Sequence, residues 1–251
     1  MKILQVNAWS GRIMDGLTNY IKKENPDIIC MQEAVWCDDQ RADNYLRRNS
    51  DTVYKIMENC GFQYVSLAPN FGLKMFNGEF ISQNGLAILS KIPIVEDEKK
   101  LIYSEYSVRT SLDDIVEPAG EHGYYAQKVV LENGLVVVNY HGYWQKDPMG
   151  NETSTLCMRK VADMMRDEER PVVMCGDLNL TYKAPAMREL DFLTDLTAKN
   201  GVKTTLRNLR FEAEVDCDHI LINDKVECVD YLLHDDMVSD HLTLTVDLNL
   251  L

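Results

Sequence analysis

The chain lacks the features that mark a membrane or secreted protein. No apolar run approaches the 18 residues that would suggest a membrane-spanning helix. The seven cysteines are odd in number and scattered, and none forms a CxxC pair. They are therefore predicted to be reduced thiols packed as small hydrophobic side chains. The N-terminal residues MKILQVN enter a predicted strand at once, which leaves no room for a signal peptide, so we expect a cytoplasmic protein with no membrane partner.

Positive charge is also scarce. The chain has 26 Lys and Arg against 40 Asp and Glu, which gives a formal net charge of −14. Repulsion by this charge opposes loose binding to DNA or to anionic membranes. At physiological salt such repulsion is screened over about 8 Å, so a local basic groove or bound cations would overcome it. The serine elbow GxSxG is absent too, as is any thiolate motif.

The chain is long enough to form one domain with a hydrophobic core, and this domain is predicted to span residues 1–251. The chain is 45% hydrophobic and 26% charged, as in ordinary globular proteins. A loop is expected at 70–82 between two strands. The predicted strands are 2–6, 27–33, 64–67, 85–92, 126–131, 135–140, 172–175, 217–223, 226–233 and 242–248. The predicted helices are 17–23, 52–59, 153–169 and 187–196.

The segment from 172 to 179, VVMCGDLN, organises the rest of the chain. Its first four residues predict a buried strand, and Gly176 then allows a sharp turn. Were the backbone still extended afterwards, Asp177 and Asn179 would share one face and could orient a water beside a phosphate or a cation. The alternative is a strand that simply ends in an Asx-type turn.

Polar groups lie at the ends of six apolar strands. Each alone has an ordinary structural explanation, but strands of one sheet bring their ends to a common edge, where functional sites are often built. Carboxylate and amide oxygens suit Mg²⁺ or Mn²⁺, whereas zinc prefers nitrogen and sulfur. Such a cation beside histidines points to phosphoester hydrolysis. The groups are Asn7, Glu33, His141, Asp177 with Asn179, Asp218 with His219, and Asp240 with His241.

Seven motifs resemble, in order, those of the endonuclease/exonuclease/phosphatase superfamily, whose fold is deoxyribonuclease I-like. They are LQVNAWS (4–10), IICMQEA (28–34), NGLAILSK (84–91), VVNYHGYW (137–144), VVMCGDLNL (172–180), CDHILIN (217–223) and VSDHLTL (238–244). The resemblance implies an α+β fold, a four-layer α/β/β/α sandwich. Two mostly antiparallel β-sheets would pack face to face with helices outside and the site at one end.

The same resemblance implies a ligand set for the metal. Glu33 matches the family's principal metal carboxylate and Asn7 lies beside it. Asp240 resembles a second carboxylate on the metal or water side. The implied cofactor is Mg²⁺ or Mn²⁺.

The remaining matched residues are implied to be catalytic. Asp177 resembles the residue that aligns or deprotonates the attacking water, and Asn179 its partner. His241 would contact the scissile phosphate, with Asp218 orienting its ring. His141 would donate to the phosphate or protonate the leaving oxygen.

Two further polar residues, His219 and Asn84, are not assigned to the site. Strand alternation predicts that His219 points away from Asp218, so it is left out of the site. Asn84 is a candidate, no more, for the group that orients His141.

Three local features bear on the substrate, each with a structural alternative. Tyr143 and Trp144 could stack a ring or pack under a loop. The predicted 70–82 loop could line a pocket with aromatic and methionine side chains or add them to the core: Phe71, Met75, Phe76 and Phe80. A basic segment could contact distal phosphates or be a solvated surface: Lys199, Lys203, Arg207 and Arg210.

The first functional hypothesis is a metal-dependent phosphodiesterase or phosphatase that cleaves a phosphoester by in-line attack of an activated water. The acidic chain favours a nucleic acid end, a nucleotide or a small phosphoester over a long duplex. The alternatives are an abasic-site or nonspecific DNA endonuclease and a catalytically silent binding module. No obligate protein partner is evident. A sphingomyelinase-like role is disfavoured, since no extended hydrophobic loop is present.

Overall fold

Two mixed β-sheets packed face to face form the middle of the molecule. The computed structural model describes residues 1–37, 51–75, 78–110, 122–207 and 214–251. Within these ranges the first sheet has the order β12-β13-β1-β2-β4-β3-β6 and the second β10-β11-β9-β8-β7-β5. The strands are β1 Lys2–Asn7, β2 Ile28–Trp36, β3 Tyr64–Met75, β4 Phe80–Ser90, β5 Ile94–Tyr103, β6 Ser107–Arg109, β7 Tyr124–Leu131, β8 Val136–His141, β9 Val172–Asp177, β10 Thr194–Asp195, β11 Asp218–Ile222, β12 Val226–His234 and β13 Thr243–Leu250.

Apolar residues from both sheets share one core between them. Ile3 and Ile28 of the first sheet belong to the same buried cluster as Val137, Val173 and Ile220 of the second. All five are fully buried. The hydrophobic effect therefore holds the sheets face to face.

Helices cover the outer face of each sheet, which confirms the predicted four-layer sandwich. Leu17 and Ile56, from the first two helices, pack in one cluster with Leu4 of β1. Met158 and Met187 pack on the other side with Met174 of β9. The α-helices are α1 Met14–Glu24, α2 Thr52–Cys60, α3 Glu152–Ala162 and the short α4 Leu196–Lys199, and 3₁₀ turns span Trp9–Gly11 and Pro185–Leu190. No helix within the described ranges is long and apolar enough to cross a membrane.

The predicted loop at 70–82 was wrong. Strands β3 and β4 continue through most of it, because a register shift between Pro69 and Phe71 preserves their pairing. A side chain on Gly72 would lie 2.5 Å from the Tyr106 hydroxyl, so this glycine permits close packing instead of marking a turn. Phe76 lies outside the described residues.

Sequence reasoning also missed three strands, β5, β6 and β10, and misplaced two helices. β5 was missed because its middle is a run of exposed charged residues, a pattern that an edge strand tolerates. β6 has three residues and little pattern of its own. α3 ends at Ala162, after which the backbone tightens into turns. The predicted helix at 187–196 is instead the end of a 3₁₀ turn followed by β10.

The topology brings the polar strand ends to one edge. β1 runs parallel to β2, and β8 runs parallel to β9, so their carboxyl ends align. β11 is antiparallel to β9 and therefore starts at that edge. In the second sheet His141 pairs with Asp177, and Asp177 pairs with Asp218.

Candidate active site

Asn7, the last residue of β1, joins two carboxylates at this edge. Its Nδ2 donates to Asp177 Oδ2 at 3.0 Å and to Glu33 Oε1 at 3.2 Å. Its own Oδ1 accepts a hydrogen bond from the Trp9 backbone N–H at 3.0 Å. The residue is 1% exposed, so these bonds fix the distance between the Glu33 and Asp177 carboxylates.

Glu33 reaches the site through a bulge in β2. The strand does not end at Glu33 as predicted but continues to Trp36, with a shift in its pairing to β4 between Met31 and Ala34. Glu33 has a φ of 47°, a left-handed conformation that is uncommon for a residue with a side chain. β-bulges of this kind redirect a side chain, and such strain is frequent at functional sites.

Asp177 lies between two imidazoles. Its Oδ2 is 3.5 Å from His141 Nε2 and 3.7 Å from His241 Nε2. The carboxylate is 2% exposed, whereas the two histidine side chains keep some access to solvent. The edge therefore presents one acceptor and two imidazole nitrogens to a single space.

Asp218 holds His241 from behind. His241 Nδ1 is 2.8 Å from Asp218 Oδ2, and the carboxylate is fully buried. Burial alone would lower the pKa of His241, but the charges of Asp218 and Asp177 outweigh it and raise that pKa well above 6.5. Burial would likewise raise the pKa of Asp218, but His241, Thr205 and Gln5 lower it. The pair is therefore an imidazolium on a carboxylate, a cation suited to a phosphate oxygen.

Asn179 reaches the site by a turn and not by an extended strand. β9 ends at Asp177, and Asn179 has a φ of 53°. Its backbone N–H donates to Asp177 Oδ1 at 3.1 Å, while its Nδ2 donates to the Gly142 carbonyl at 3.0 Å. A Cβ on Gly142 would lie 1.9 Å from the Leu178 carbonyl, so only glycine allows this approach. The Asx-type turn was thus the correct alternative, and it still brings Asn179 beside Asp177.

The remaining predicted residues have mixed outcomes. Asp240 adjoins His241, and Ser239 Oγ donates to its Oδ1 at 3.3 Å, but its metal role stays a prediction. Asn84 donates to Ser10 Oγ at 3.2 Å, which gives no support for it as the partner of His141. His219 points away from the site, as predicted, and bonds Asp195.

Sequence reasoning missed residues that contact the His241–Asp218 pair, among them Gln5 and Cys217. Gln5 Nε2 donates to Asp218 Oδ1 at 3.1 Å. Because Gln5 is two residues before Asn7 on β1, strand alternation alone would have placed both on one face. Cys217 Sγ lies 3.6 Å from Asp218 Oδ2, and no motif singled it out. Burial, then the charges of Asp177 and Asp218, raise the pKa of this thiol strongly, so it stays protonated.

All seven cysteines are free thiols, as predicted.

A wall of aromatic rings flanks His141. Tyr143 packs edge-on against Tyr103, at 5.3 Å between ring centroids, and its ring lies 5.5 Å from that of Tyr124. These contacts favour the packing alternative for Tyr143 over stacking on a substrate ring. Trp144, by contrast, is 49% exposed. His122 lies 4.6 Å from the Tyr124 ring. Burial, and then the charges of Arg109 and His141, lower the pKa of His122 to about 4.

The structure also shows the surroundings of Phe71 and of the basic segment, the two remaining features that bear on the substrate. Phe71 contacts the His122 ring and the Arg109 guanidinium, beside the aromatic wall. The Arg207 side chain is largely buried and forms an ion pair with Asp235, so it holds the local fold together. Lys199 and Lys203 are exposed, and Arg210 lies outside the described residues.

The donor set fits a hard divalent cation. Glu33 accepts one hydrogen bond within the described residues, at Oε1, which leaves Oε2 as an oxygen ligand. The Asn7 side chain, bonded to Glu33 through Nδ2, carries an amide oxygen as well. Amide and carboxylate oxygens are the ligands that Mg²⁺ and Mn²⁺ prefer. Asp177, Cys217 and His241 form a second possible metal-binding group, with ligand atoms within 4.8 Å of one another.

A sandwich of two mixed sheets with this edge site defines a deoxyribonuclease I-like protein. The Endonuclease/Exonuclease/phosphatase family pattern matches residues 4–241. The chain belongs to that family, whose members are hydrolases of phosphoesters such as DNA and are generally dependent on a divalent metal.

Known proteins similar to this chain agree with that assignment. A DNA-(apurinic or apyrimidinic site) endonuclease of Dictyostelium discoideum is 22% identical over 210 residues, which is 82% of this chain and about half, 48%, of that protein. An endonuclease/exonuclease/phosphatase structure from Beutenbergia cavernae is 17% identical, with a TM-score of 0.76 over 100% of this chain and 71% of that one. A mannosyl-6-phosphatase from Bacteroides thetaiotaomicron is 14% identical, with a TM-score of 0.63 over 99% of both chains. Such low identities establish the fold and not the substrate.

Proposed function

We propose that this protein is a Mg²⁺- or Mn²⁺-dependent phosphodiesterase or phosphatase that acts on a nucleic acid end, a nucleotide or a small phosphoester. The observation that carries the proposal is the position of Asp177. One buried carboxylate accepts a hydrogen bond from Asn7 and faces the Nε2 atoms of His141 and His241 within 3.7 Å. This gives a base and two proton-bearing groups around one reacting centre.

The proposed reaction is in-line displacement at phosphorus. Asp177, with Asn179, aligns a water and takes its proton as the water oxygen bonds to phosphorus. His241, charged and held by Asp218, stabilises the negative charge that develops on a phosphoryl oxygen. His141 donates a proton to the departing ester oxygen.

The metal ligands would be Glu33 and Asn7, with Asp240 as a further carboxylate. When bound, a divalent cation would withdraw charge from the phosphate and favour the leaving of its ester oxygen. Asn7 connects the two halves of the site, because its amide bonds both Glu33 and Asp177.

The net charge of −14 supports a small substrate or a strand end over a long duplex. A duplex held by many phosphate contacts needs many cations. One observation favours the alternative of an abasic-site endonuclease, namely the similarity to a Dictyostelium protein named for that activity.

The exposed Trp144 is the group that would stack a base or another ring of the substrate.

The test is a substrate panel assayed with Mg²⁺, with Mn²⁺ and with EDTA. It contains phosphomonoesters, nucleotides, a generic phosphodiester, short single- and double-stranded DNA, and a duplex with one abasic site. The proposal expects metal-dependent turnover that is fastest on a small phosphoester or a strand end. Incision within the abasic duplex as the fastest reaction would establish the alternative, and no turnover of any substrate would reject both.

A further inference from the structure

A chain of buried polar side chains crosses the apolar core and ends at the active site. Every member is at most 1% exposed, which is unusual for amides unless their hydrogen bonds are satisfied. The members come from both sheets, and together they connect the Asp218 carboxylate to Asp97 on the edge strand β5. In order they are Gln5, Gln32, Asn139, Gln127 and Ser66.

Most of the chain has one donor direction. Gln32 Nε2 donates to Asn139 Oδ1 at 2.7 Å, and Asn139 Nδ2 donates to Gln127 Oε1 at 3.1 Å. Gln127 Nε2 then donates to Ser66 Oγ at 3.0 Å, and that hydroxyl donates to Asp97 Oδ1 at 2.8 Å. All four donors therefore point toward Asp97.

The direction must reverse before Asp218, because a carboxylate at each end can only accept. Gln5 and Gln32 provide the reversal as a reciprocal amide pair. Gln5 Nε2 donates to Gln32 Oε1 at 2.7 Å, and Gln32 Nε2 donates to Gln5 Oε1 at 2.9 Å. The second N–H of Gln5 then donates to Asp218 Oδ1 at 3.1 Å. A flipped Gln5 amide would set its oxygen against the carboxylate, so the chain allows one orientation.

We propose that Gln5 is a positioning residue for the catalytic pair, acting through Asp218. Gln5 holds one oxygen of that carboxylate, and His241 Nδ1 is bonded to the other at 2.8 Å. A carboxylate tied at both oxygens cannot rotate, so it fixes the plane of the His241 ring. The proposal rests on the proposed function only for its kinetic consequence.

The test compares two identical substitutions in the same core, Gln5→Met and Gln127→Met. Methionine is close to glutamine in length and has no donor. Gln127 is the matched control because Asn139 remains anchored to the Met31 and Ala87 carbonyls, at 3.1 and 3.2 Å, when Gln127 is lost. The Gln5–Gln32 pair therefore survives the control substitution. We expect both variants to melt at lower temperature.

Only Gln5→Met should lose turnover. Loss of a partner that orients a catalytic histidine typically reduces activity by about 10–100-fold, and we expect this in kcat with KM changed by less than about threefold. Gln127→Met should keep kcat within about twofold of the parent protein. Equal kcat values for the two variants would overturn the proposal.

A second readout does not depend on turnover. The His241 Nδ1–H proton, assigned by its loss in His241→Asn, should give a slowly exchanging proton NMR signal in the parent protein and in Gln127→Met. In Gln5→Met it should broaden or exchange rapidly, and an unchanged signal would overturn the proposal even if the parent protein has no activity. Should either methionine variant fail to fold, Gln5→Glu and Gln127→Glu form the next matched pair, with the same contrast expected.

Discussion

Two buried histidine–aspartate pairs, built alike, lie close together at the start of β11. His241 bonds Asp218 through Nδ1 at 2.8 Å, and His219 bonds Asp195 through Nδ1 at 2.9 Å. Asp218 and His219 are consecutive residues and point to opposite faces of the same strand. Both histidines have a raised pKa, to about 9 for His219, where burial opposes the shift and Asp195 outweighs it.

The pairs differ at the second ring nitrogen. His219 Nε2 is bonded to the Leu180 carbonyl at 2.9 Å, and the side chain has no solvent exposure. His241 Nε2 instead faces Asp177 at 3.7 Å from a side chain that is 11% exposed. A closed pair contributes to stability, whereas an open pair can offer its proton to a substrate. A His–Asp pair therefore indicates chemistry only when its outer nitrogen is accessible.

The largest expected effect is on turnover by His241→Asn. Asparagine keeps a short donor toward Asp218 but removes the charge and the outer nitrogen. We expect kcat on a metal-dependent phosphoester substrate to fall by roughly 10²–10⁴-fold. The melting temperature should also fall, because the fully buried Asp218 loses its cation, so kcat is compared at a temperature where both proteins are folded. Steady-state kinetics with a thermal melt measures both quantities, and a variant that keeps near-parental kcat would remove His241 from the mechanism.

The same substitution in the closed pair should lower stability without lowering turnover. His219→Asn loses the bond to Leu180 and leaves Asp195 without its cation. We expect the free energy of unfolding to fall by roughly 2–4 kcal/mol. Turnover per folded molecule should stay within about twofold of the parent protein. Urea unfolding and activity at a temperature where the variant is folded provide the check, and a selective loss of kcat would mean that the two pairs are not distinct.

A smaller effect should appear in the pH dependence of stability. His219 has a folded-state pKa of about 9 against an ordinary 6.5. Its contribution is therefore complete below pH 6.5 and is lost as pH rises through 9. Between these values we expect the unfolding free energy to fall by roughly 1–3 kcal/mol more in the parent protein than in His219→Asn. Parallel curves from urea titrations at a series of pH values would contradict this.

The sequence predicted which polar side chains meet at one edge better than it predicted the strands. Asn7, His141 and Asp177 are the last residues of their strands, and simple apolar runs that end in polar groups locate them. The edge of a sheet then brings them together without further information. Glu33 is different, since the bulge that redirects it depends on pairing with β4, which no local pattern shows.

Long-range pairing also explains the errors in the fold. β5 has a charged sequence that favours a loop, yet it is a strand because β7 offers it an edge to pair with. The buried amides of Gln32 and Asn139 are unfavourable in a core unless each finds its partner. That condition depends on how the two sheets are stacked, which a single sequence does not reveal.

The central claim is that Asp177 activates water at a metal-dependent phosphoester site. The most direct measurement is turnover of a generic phosphodiester, bis(p-nitrophenyl) phosphate, by the parent protein and by Asp177→Asn, each with Mg²⁺ and with EDTA. We predict that the parent protein turns over this substrate with Mg²⁺. Chelation by EDTA, or the substitution Asp177→Asn, should each lower the turnover rate by at least about 10³-fold, while Asp177→Asn keeps its folded structure. Undiminished turnover by Asp177→Asn, or full activity in EDTA, would contradict the claim.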